Sequence, residues 1–512
     1  MLGSAGTGKT TVSSWAARHH LEKDPTGHSR VLFLTFSRTA VSQIISRSAG
    51  VTRGLEDRLE VATFHGLAYR LIRAFGRYVG FGTGVPEVQS AARQRLLGVE
   101  PDRLAYDDLV PAALRIVESP IVGDLVRSRW SMIICDEFQD TSDAQWRLLV
   151  WLAEGKRLLL FADENQMIYT WVDGVGIHRL AQARLFADEI IELEPPSHRD
   201  PSGCIPAMAT AVRRREWNHD AIRSAVFSGR LRVIAGVDED DHLVEMLWVE
   251  LRRMRRAGCR SVGIFGHSNA GVAELGSVLH KAGIPHALIG IPEAQGEAIA
   301  TMGICLLVGY RAASKKELRQ AYATFLTACW RGKTPPPIAT AIVKDHPTHP
   351  VLHERFSRHE QTLQEAAEEG FERVINVACE MWERIGVQLG ERAWYRASVS
   401  FTTTAIRMAS LDLTALRSAI ERMRLEALIG YEETATTPVR LMNFHQTKGR
   451  EADGIALIYR DGDTLADHHD TEPFIDPSRV LYVSLTRARS RLLVVLPSNP
   501  HPLVAPFARF AF

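Results

Sequence analysis

The segment Gly3-Ser-Ala-Gly-Thr-Gly-Lys9-Thr10 has the spacing G-x-x-x-x-G-K-[ST]. Such a loop joins a buried strand to a helix, because its glycines let successive backbone N–H groups point at one anion and the helix adds its positive end. In such a loop, Lys9 reaches the outer phosphates and Thr10 binds Mg²⁺. We therefore predict an α/β fold that binds the phosphates of ATP. The predicted binding residues are Gly3, Ser4, Ala5, Gly6, Thr7, Gly8, Lys9, Thr10 and Thr11.

An acidic block, Asp136-Glu-Phe-Gln-Asp140, directly follows the apolar run Met132-Ile-Ile-Cys135. The carboxyl end of a strand is the edge at which open α/β sheets bind ligands. There Asp136 is suited to bind Mg²⁺, and Glu137 to orient or deprotonate a water molecule. A lone Asp-Glu pair is more often an ordinary solvated loop, but the longer string and the phosphate loop favour a catalytic site.

Composition limits the class of protein. The chain has 512 residues, 46% of them hydrophobic, which is enough for several cores. Its net charge of +1 means that any nucleic-acid site must be local. The six cysteines form no C-x-x-C pair, which argues against a zinc ribbon and gives no disulfide framework. No apolar run reaches membrane-spanning length, and we expect a cytoplasmic protein.

Short apolar runs alternate with helical patterns along the chain, as is typical of parallel α/β domains. Two sets of buried strands are predicted, and they indicate two α/β lobes. The first set is Val31–Phe36, Met132–Cys135 and Leu158–Phe161; the second is Leu231–Ile234, Val262–Phe265, Ile455–Ile458 and Leu492–Val495.

A mainly helical insert is predicted to interrupt each lobe. The first lobe comprises residues 1–66 and 127–200, with an insert at 67–126. The second lobe comprises residues 201–295 and 437–512, with an insert at 296–436.

Six further blocks occur in a fixed order. They are Thr35-Phe-Ser-Arg-Thr-Ala40, Ala62-Thr-Phe-His65, Ala162-Asp-Glu-Asn-Gln166-Met-Ile-Tyr169-Thr-Trp171, Pro196-Ser-His-Arg199, Leu441-Met-Asn-Phe-His445-Gln-Thr-Lys448-Gly-Arg-Glu451 and Arg479-Val-Leu-Tyr-Val-Ser-Leu-Thr-Arg487-Ala. With the first two blocks, they resemble the motifs of the superfamily 1 DNA helicases of the UvrD/Rep/PcrA group. The motifs extend over nearly the whole chain, but the two inserts are essentially unmatched.

The resemblance implies two RecA-like lobes and a DNA-dependent ATPase that uses ATP and Mg²⁺. It implies that Gln166 senses the γ-phosphate and that Arg199 and Arg487 act as arginine fingers. His198 takes the position that stacks on adenine, and Glu451 approaches the ribose. Because Arg487 belongs to the second lobe, ATP is expected in the cleft between the lobes.

The resemblance also implies a path for single-stranded DNA, followed in the 3′ to 5′ direction. The aromatic side chains would stack on bases without sequence preference. The residues implied are Thr35, Phe36, Thr63, His65, Tyr169, Trp171, His445 and Lys448. For an isolated aromatic residue, a place in the core is the commoner role; Trp171, in a short polar stretch, fits that role least.

The chain departs from the family pattern at several positions. His198 replaces the usual aromatic residue, Val172 an arginine, and Asn443 a threonine. Only Met1 and Leu2 precede the phosphate loop, and two residues are too few for the expected buried strand. We therefore expect the natural protein to extend upstream with an apolar strand and, before it, an adenine-reading glutamine.

Two other functions fit the same motifs. The chain could be a nucleic-acid-sensing regulatory ATPase partnered with a nuclease, as in compact relatives from anti-phage defence and recombination complexes. It could also be a degenerate scaffold that hydrolyses little ATP. The presence of Lys9, Glu137, Gln166, Arg199 and Arg487 argues against the scaffold.

Overall fold

The structure is a computed structural model. It describes residues 1–81, 87–100, 103–169, 174–193, 200, 202–289, 292–330, 334–344, 350–385, 394, 397–398, 412–429, 438–466 and 470–511. The chain forms two compact units. One comprises Met1–Phe64, Pro120–Ile289 and Glu432–Phe512, and the other His65–Ser119 and Gly290–Tyr431. Among the described helices, none has the length and apolar character needed to cross a membrane.

The strands are numbered in chain order. They are β1 (Leu2–Gly3), β2 (Val31–Thr35), β3 (Leu59–Thr63), β4 (Glu87–Gln89), β5 (Arg103–Ala105), β6 (Met132–Cys135), β7 (Arg157–Leu160), β8 (Glu192–Leu193), β9 (Leu231–Ile234), β10 (Val262–Gly266), β11 (Ala287–Leu288), β12 (Val439–Asn443), β13 (Ala452–Ile458) and β14 (Ala488–Val495).

The α-helices are numbered in the same way. They are α1 (Lys9–Glu22), α2 (Arg38–Ser48), α3 (Phe64–Phe75), α4 (Ala91–Leu97), α5 (Leu109–Val117), α6 (Gly123–Ser128), α7 (Asp143–Ala153), α8 (Ile177–Phe186), α9 (Cys204–Arg213), α10 (Asp220–Phe227), α11 (Asp240–Arg256), α12 (Asn269–Lys281), α13 (Pro292–Gly309), α14 (Lys315–Cys329), α15 (Pro337–Lys344), α16 (Pro350–Glu369), α17 (Phe371–Ile385), α18 (Leu413–Ile429) and α19 (Ile475–Leu485).

Two parallel sheets form the first unit. One has the strand order β3-β2-β6-β7, and the other β11-β12-β10-β13-β14-β9. The predicted runs lie in these sheets, β6 and β9 with the predicted bounds. Their residues are mostly apolar, and inner strands are covered on both faces: β2, for example, is fully buried and shares its core with residues of α1 and α2. The predicted mixed α/β class is confirmed.

Strand β1 leads directly into the phosphate loop. It pairs in parallel with β8, and Leu2 also forms a bridge with Ala162 just after β7. The N–H of Gly3 donates to the carbonyl of Ala162 over 3.1 Å, and that of Leu2 to the carbonyl of Ile191 over 2.8 Å. Leu2 and the first loop glycine, Gly3, thus form a two-residue strand with partners on both sides, although Met1 and Leu2 were expected to be too few for a strand.

The second unit is mostly helical, apart from the short parallel pair β4 and β5. Its core combines Ala92 of the earlier chain segment with buried aromatic residues of the later one, among them Tyr322 and Trp382. The hydroxyl of Tyr322 lies 3.1 Å from Nε2 of His359, which is 5% exposed. Burial and the nearby charge of Arg384 lower the pKa of His359 to about 3.

A buried ion pair crosses the same core. The guanidinium of Arg424 donates to Glu297 over 3.1 Å, and both side chains are 3% exposed. Arg424 also donates to the carbonyl of Val88 over 2.5 Å. Residues 65–119 and 290–431 therefore share both an apolar core and a buried charge.

Candidate functional site

The phosphate loop has the backbone that its glycines predict. Gly6 and Gly8 have φ angles of 84° and 90°, a left-handed conformation that favours glycine. Gly8 precedes the first turn of α1, which begins at Lys9, and contributes no side-chain cap to it. At Gly3, an added Cβ would lie 2.5 Å from Oγ1 of Thr7. The loop therefore needs glycine at these positions to keep its curvature.

Lys9 is directed back into the loop. Its Nζ donates to the carbonyl oxygens of Gly3 over 2.6 Å and Ser4 over 3.1 Å, and it lies 3.8 Å from Oδ2 of Asp163. The side chain is only 9% exposed. The charge of Lys9 is thus concentrated inside the loop, where phosphate binding is predicted. Thr10, on the first turn of α1, is half-buried.

The acidic block begins where β6 ends. Asp136 is buried, and its Oδ1 accepts a hydrogen bond from the N–H of Glu137 over 3.0 Å. Burial and the charge of Glu137 raise the pKa of Asp136 to about 6. Glu137 has a φ of 53°, which is uncommon for a residue with a side chain. Its Oε2 accepts from Gln139 over 2.6 Å, so the carboxylate is oriented by its own turn.

Gln166 connects a side chain that follows the first sheet's strand β7 with one that precedes the second sheet's strand β14. Its Nε2 donates to Oδ2 of Asp163 over 2.6 Å, while its Oε1 accepts from Nη2 of Arg487 over 2.8 Å. Arg487 follows α19 and is 1% exposed. With the contact between Lys9 and Asp163, a continuous chain of polar side chains extends from the phosphate loop to Arg487.

Lys448 forms a second connection between the sheets. Its Nζ forms an ion pair with Asp140, donates to the carbonyl of Gln166 over 2.8 Å, and lies 3.8 Å from Oε2 of Glu137. Burial opposes the charge of Lys448, but the carboxylates of Asp140 and Glu137 outweigh it and raise the pKa of Lys448. Burial alone would raise the pKa of Glu137, but Lys448 and Lys9 bring it below its usual range.

The residues predicted to contact DNA differ in exposure. The half-buried rings of Phe36 and Tyr169 have centroids 4.9 Å apart, and Nζ of Lys448 lies 5.3 Å from the ring of Tyr169. Thr35 and Thr63, at the ends of β2 and β3, are 0% and 7% exposed. The structure therefore brings two of the predicted rings together but leaves both threonine side chains buried.

The two predicted histidine contacts have different surroundings. In the second unit, His65 stacks on Tyr106 with ring centroids 4.3 Å apart, and burial lowers the pKa of His65 to about 4. In the first unit, His445 lines a pocket with His267 and Tyr459. His65 is therefore held against an aromatic ring, whereas His445 faces a pocket.

Some predicted site residues cannot be placed, and others have unexpected partners. Trp171, His198 and Arg199 lie outside the described residues. Glu451 accepts from the guanidinium of Arg489, with a shortest distance of 3.2 Å. Asp163 was not predicted as a site residue. Its position directly after a predicted strand was the available signal, as it was for Asp136.

The loop between β1 and α1 has the sequence and the backbone conformation of a P-loop. Residues 1–98 and 89–181 match the model of the UvrD/REP helicase N-terminal domain. This match, which covers the first 181 residues, and the similarity to the helicases named below support the predicted resemblance to the superfamily 1 helicases of the UvrD/Rep/PcrA group.

Three relatives illustrate the similarity. The ATP-dependent DNA helicase PcrA of Leuconostoc citreum is 22% identical over 33% of this chain and 31% of its own length. The ATP-dependent DNA helicase UvrD1 of Mycobacterium bovis is 22% identical over 57% of this chain and 47% of its own length. The RecBCD enzyme subunit RecB of Mycobacterium tuberculosis is 39% identical over 22% of this chain and 10% of its own length. The matches span less than half of each relative.

Proposed function

We propose that this protein is an ATP-dependent translocase on single-stranded DNA, with helicase activity in the 3′ to 5′ direction. The observation that carries the proposal is the continuous series of polar contacts from Lys9 through Asp163 and Gln166 to Arg487. It joins the loop suited to phosphate with an arginine next to the second sheet. A site that needs groups from two sheets can respond to movement of one against the other.

The proposal includes two RecA-like lobes. The first comprises residues 1–66 and 127–200 and the second 201–295 and 437–512, with inserts at 67–126 and 296–436. The two parallel sheets of the first unit support this division, since their strands come from these ranges. ATP would bind where Lys9 and Arg487 approach each other.

The residues present fit ATP and Mg²⁺. The loop has the glycine backbone that lets N–H groups point at an anion, and Lys9 supplies positive charge within it. Thr10 and Asp136 would hold Mg²⁺, which would supply positive charge that stabilises the phosphates. Within the described residues, no group of three or more His, Cys, Asp and Glu side chains could hold a metal ion. Mg²⁺ does not require one, because it usually keeps several waters and uses few protein carboxylates.

Glu137, Gln166 and Arg487 have roles that their environments support. Glu137, kept ionised by Lys448 and Lys9, accepts a proton from the attacking water. Gln166 transmits the state of the phosphates, and Arg487 places a fixed charge against them. Arg199, His198 and Glu451 are proposed from the resemblance alone as second finger, adenine contact and ribose contact.

The proposed DNA path begins at the two neighbouring rings of Phe36 and Tyr169. Half-buried aromatic rings can stack on bases of any sequence. The remaining proposed contacts rest on the resemblance, and they are Thr35, Thr63, His65, Trp171 and His445.

A strand-displacement assay tests the proposal. ATPase activity and displacement are measured in parallel on duplexes with a 3′ tail, a 5′ tail or no tail. For the wild type, we expect DNA to stimulate ATP hydrolysis and only the duplex with a 3′ tail to be opened. The Glu137→Gln variant should show neither DNA-stimulated ATP hydrolysis nor strand displacement. No stimulation by any single strand would overturn the proposal, and displacement confined to 5′ tails would overturn its direction.

A nuclease-linked ATPase is the second candidate. It is favoured by the match to RecB and by a second match, 34% identical over 16% of this chain, to an ATP-dependent helicase/nuclease of Lactococcus lactis. In that case DNA should stimulate ATPase, but displacement should require a partner nuclease. Efficient displacement by the isolated chain would favour the autonomous motor.

A further inference from the structure

We propose that Lys448 is a positioning residue that links the water-activating Glu137 to Tyr169 on the DNA path, and that it does not bind a DNA phosphate. This inference rests on the proposed function. It assigns Lys448 a different role from the strand contact that the resemblance implies.

The protein itself satisfies the charge of Lys448. The side chain is 4% exposed and its partner Asp140 is 0% exposed. An ammonium group has three N–H donors. One is used in the ion pair with Asp140 and one in the 2.8 Å hydrogen bond to the carbonyl of Gln166. A DNA phosphate would have to displace a buried carboxylate, and an unpaired buried carboxylate is strongly unfavourable.

The same ammonium group lies between two functional side chains. Its Nζ is 3.8 Å from Oε2 of Glu137 and 5.3 Å from the ring of Tyr169. Tyr169 in turn contacts the ring of Phe36 at 4.9 Å. A base that stacks on these rings and shifts Tyr169 would also alter the surroundings of Lys448, because a cation is attracted to a ring face.

The effect of such a shift on Glu137 follows from its backbone. Glu137 has a left-handed φ of 53°, so neighbouring groups must keep its carboxylate in place. The hydrogen bond from Gln139 is one such contact, and the charge of Lys448 is another. A small movement of Lys448 therefore changes both the position and the field of the group that activates water. This is a physical route from a bound base to ATP hydrolysis within one unit.

The test uses Lys448→Met and the double variant Lys448→Met with Asp140→Asn. The double variant does not leave Asp140 as an unpaired buried carboxylate, so that loss of the fold is not confused with loss of coupling. Lys281→Met is the matched control, because Lys281 is exposed at the end of α12. ATPase is measured with and without a single-stranded oligonucleotide, and the DNA dissociation constant is measured at several salt concentrations.

We expect the folded double variant to lose at least about tenfold of the DNA-stimulated kcat. Its DNA affinity and the salt dependence of binding should equal those of the wild type and of Lys281→Met. If Lys448 instead contacted a DNA phosphate, the slope of log K against log salt would be smaller in magnitude by about 1 in the double variant than in the wild type. That result would overturn the inference, as would an unchanged ratio of stimulated to unstimulated kcat. Failure of the proposed function is distinct, because the wild type itself would then show no stimulation by DNA.

Discussion

Arg487 donates a hydrogen bond to the side-chain oxygen of Gln166 over 2.8 Å, although 321 positions separate the two residues. The resemblance assigns one to the transition state and the other to sensing of the γ-phosphate. Since the amide of Gln166 also donates to Asp163, movement of either end of this link moves the other. We therefore expect the two proposed roles to depend on each other.

Replacement of Arg487 tests its role as a finger. We expect Arg487→Ala to lower kcat by about 10³–10⁵-fold, because the charge acts mainly in the transition state. The KM for ATP should change far less. Steady-state ATPase assays at saturating DNA give both constants, and Arg491→Ala, on the adjacent β14, is the control. Equal losses in kcat and in the affinity for ATP would indicate that Arg487 binds ATP in the ground state.

Glu137→Gln should abolish turnover but retain nucleotide binding. The amide keeps the shape of the side chain and can no longer accept a proton, which should lower kcat by about 10²–10⁴-fold. Single-turnover hydrolysis and equilibrium binding of a labelled nucleotide measure the two effects. Glu154→Gln changes an exposed carboxylate and should behave like the wild type. Normal hydrolysis by Glu137→Gln would assign the base to another group.

The DNA path is tested at its aromatic residues. Phe36→Ala and Trp171→Ala should each weaken binding of a single-stranded oligonucleotide by about 1–3 kcal/mol, the contribution of one stacked base. Fluorescence anisotropy measures the dissociation constant. Phe227→Ala is the matched control, because Phe227 is 95% exposed on α10 and has no proposed role. A lower melting temperature with unchanged DNA affinity would make the replaced ring a core residue.

The buried His359 predicts how stability depends on pH. Its folded pKa of about 3 lies below that of an unfolded histidine, so only the unfolded chain gains a proton as the pH falls from 7 to 5. Its contribution to the free energy of unfolding should fall by about 2 kcal/mol over this range, and the contribution is fully present above the unfolded pKa.

His359→Gln should remove this part of the pH dependence, as measured by urea unfolding of the second unit at pH 7 and pH 5. His242→Gln alters an exposed imidazole and serves as the control. An identical pH dependence in wild type and His359→Gln would mean that His359 is protonated in the folded state.

The sequence predicted local structure better than contacts. Strands such as β6 were predictable because an uninterrupted apolar run is buried on both faces. The strand β4, with three residues, is too short to have a recognisable period. The motif order indicated the resemblance to the UvrD/Rep/PcrA helicases, and the phosphate loop was recognisable from its glycines.

Side-chain partners could not be predicted in the same way. Lys448 and Asp140 are 308 positions apart, and no local pattern indicates that one buries the charge of the other. The stacking of His65 on Tyr106 has the same character. Burial decides whether a basic side chain contacts solvent or a carboxylate, and burial depends on the complete fold.

The shared core of the second unit has a consequence for how such proteins can change. The guanidinium of Arg424 donates to the carbonyl of Val88, and Ala92 packs into the same core as Trp382. Removing residues 65–119 alone would expose apolar surface and leave a buried charge without one of its acceptors. We therefore expect residues 65–119 and 290–431 to be retained or lost together, and a stable graft between homologues to require the exchange of both segments.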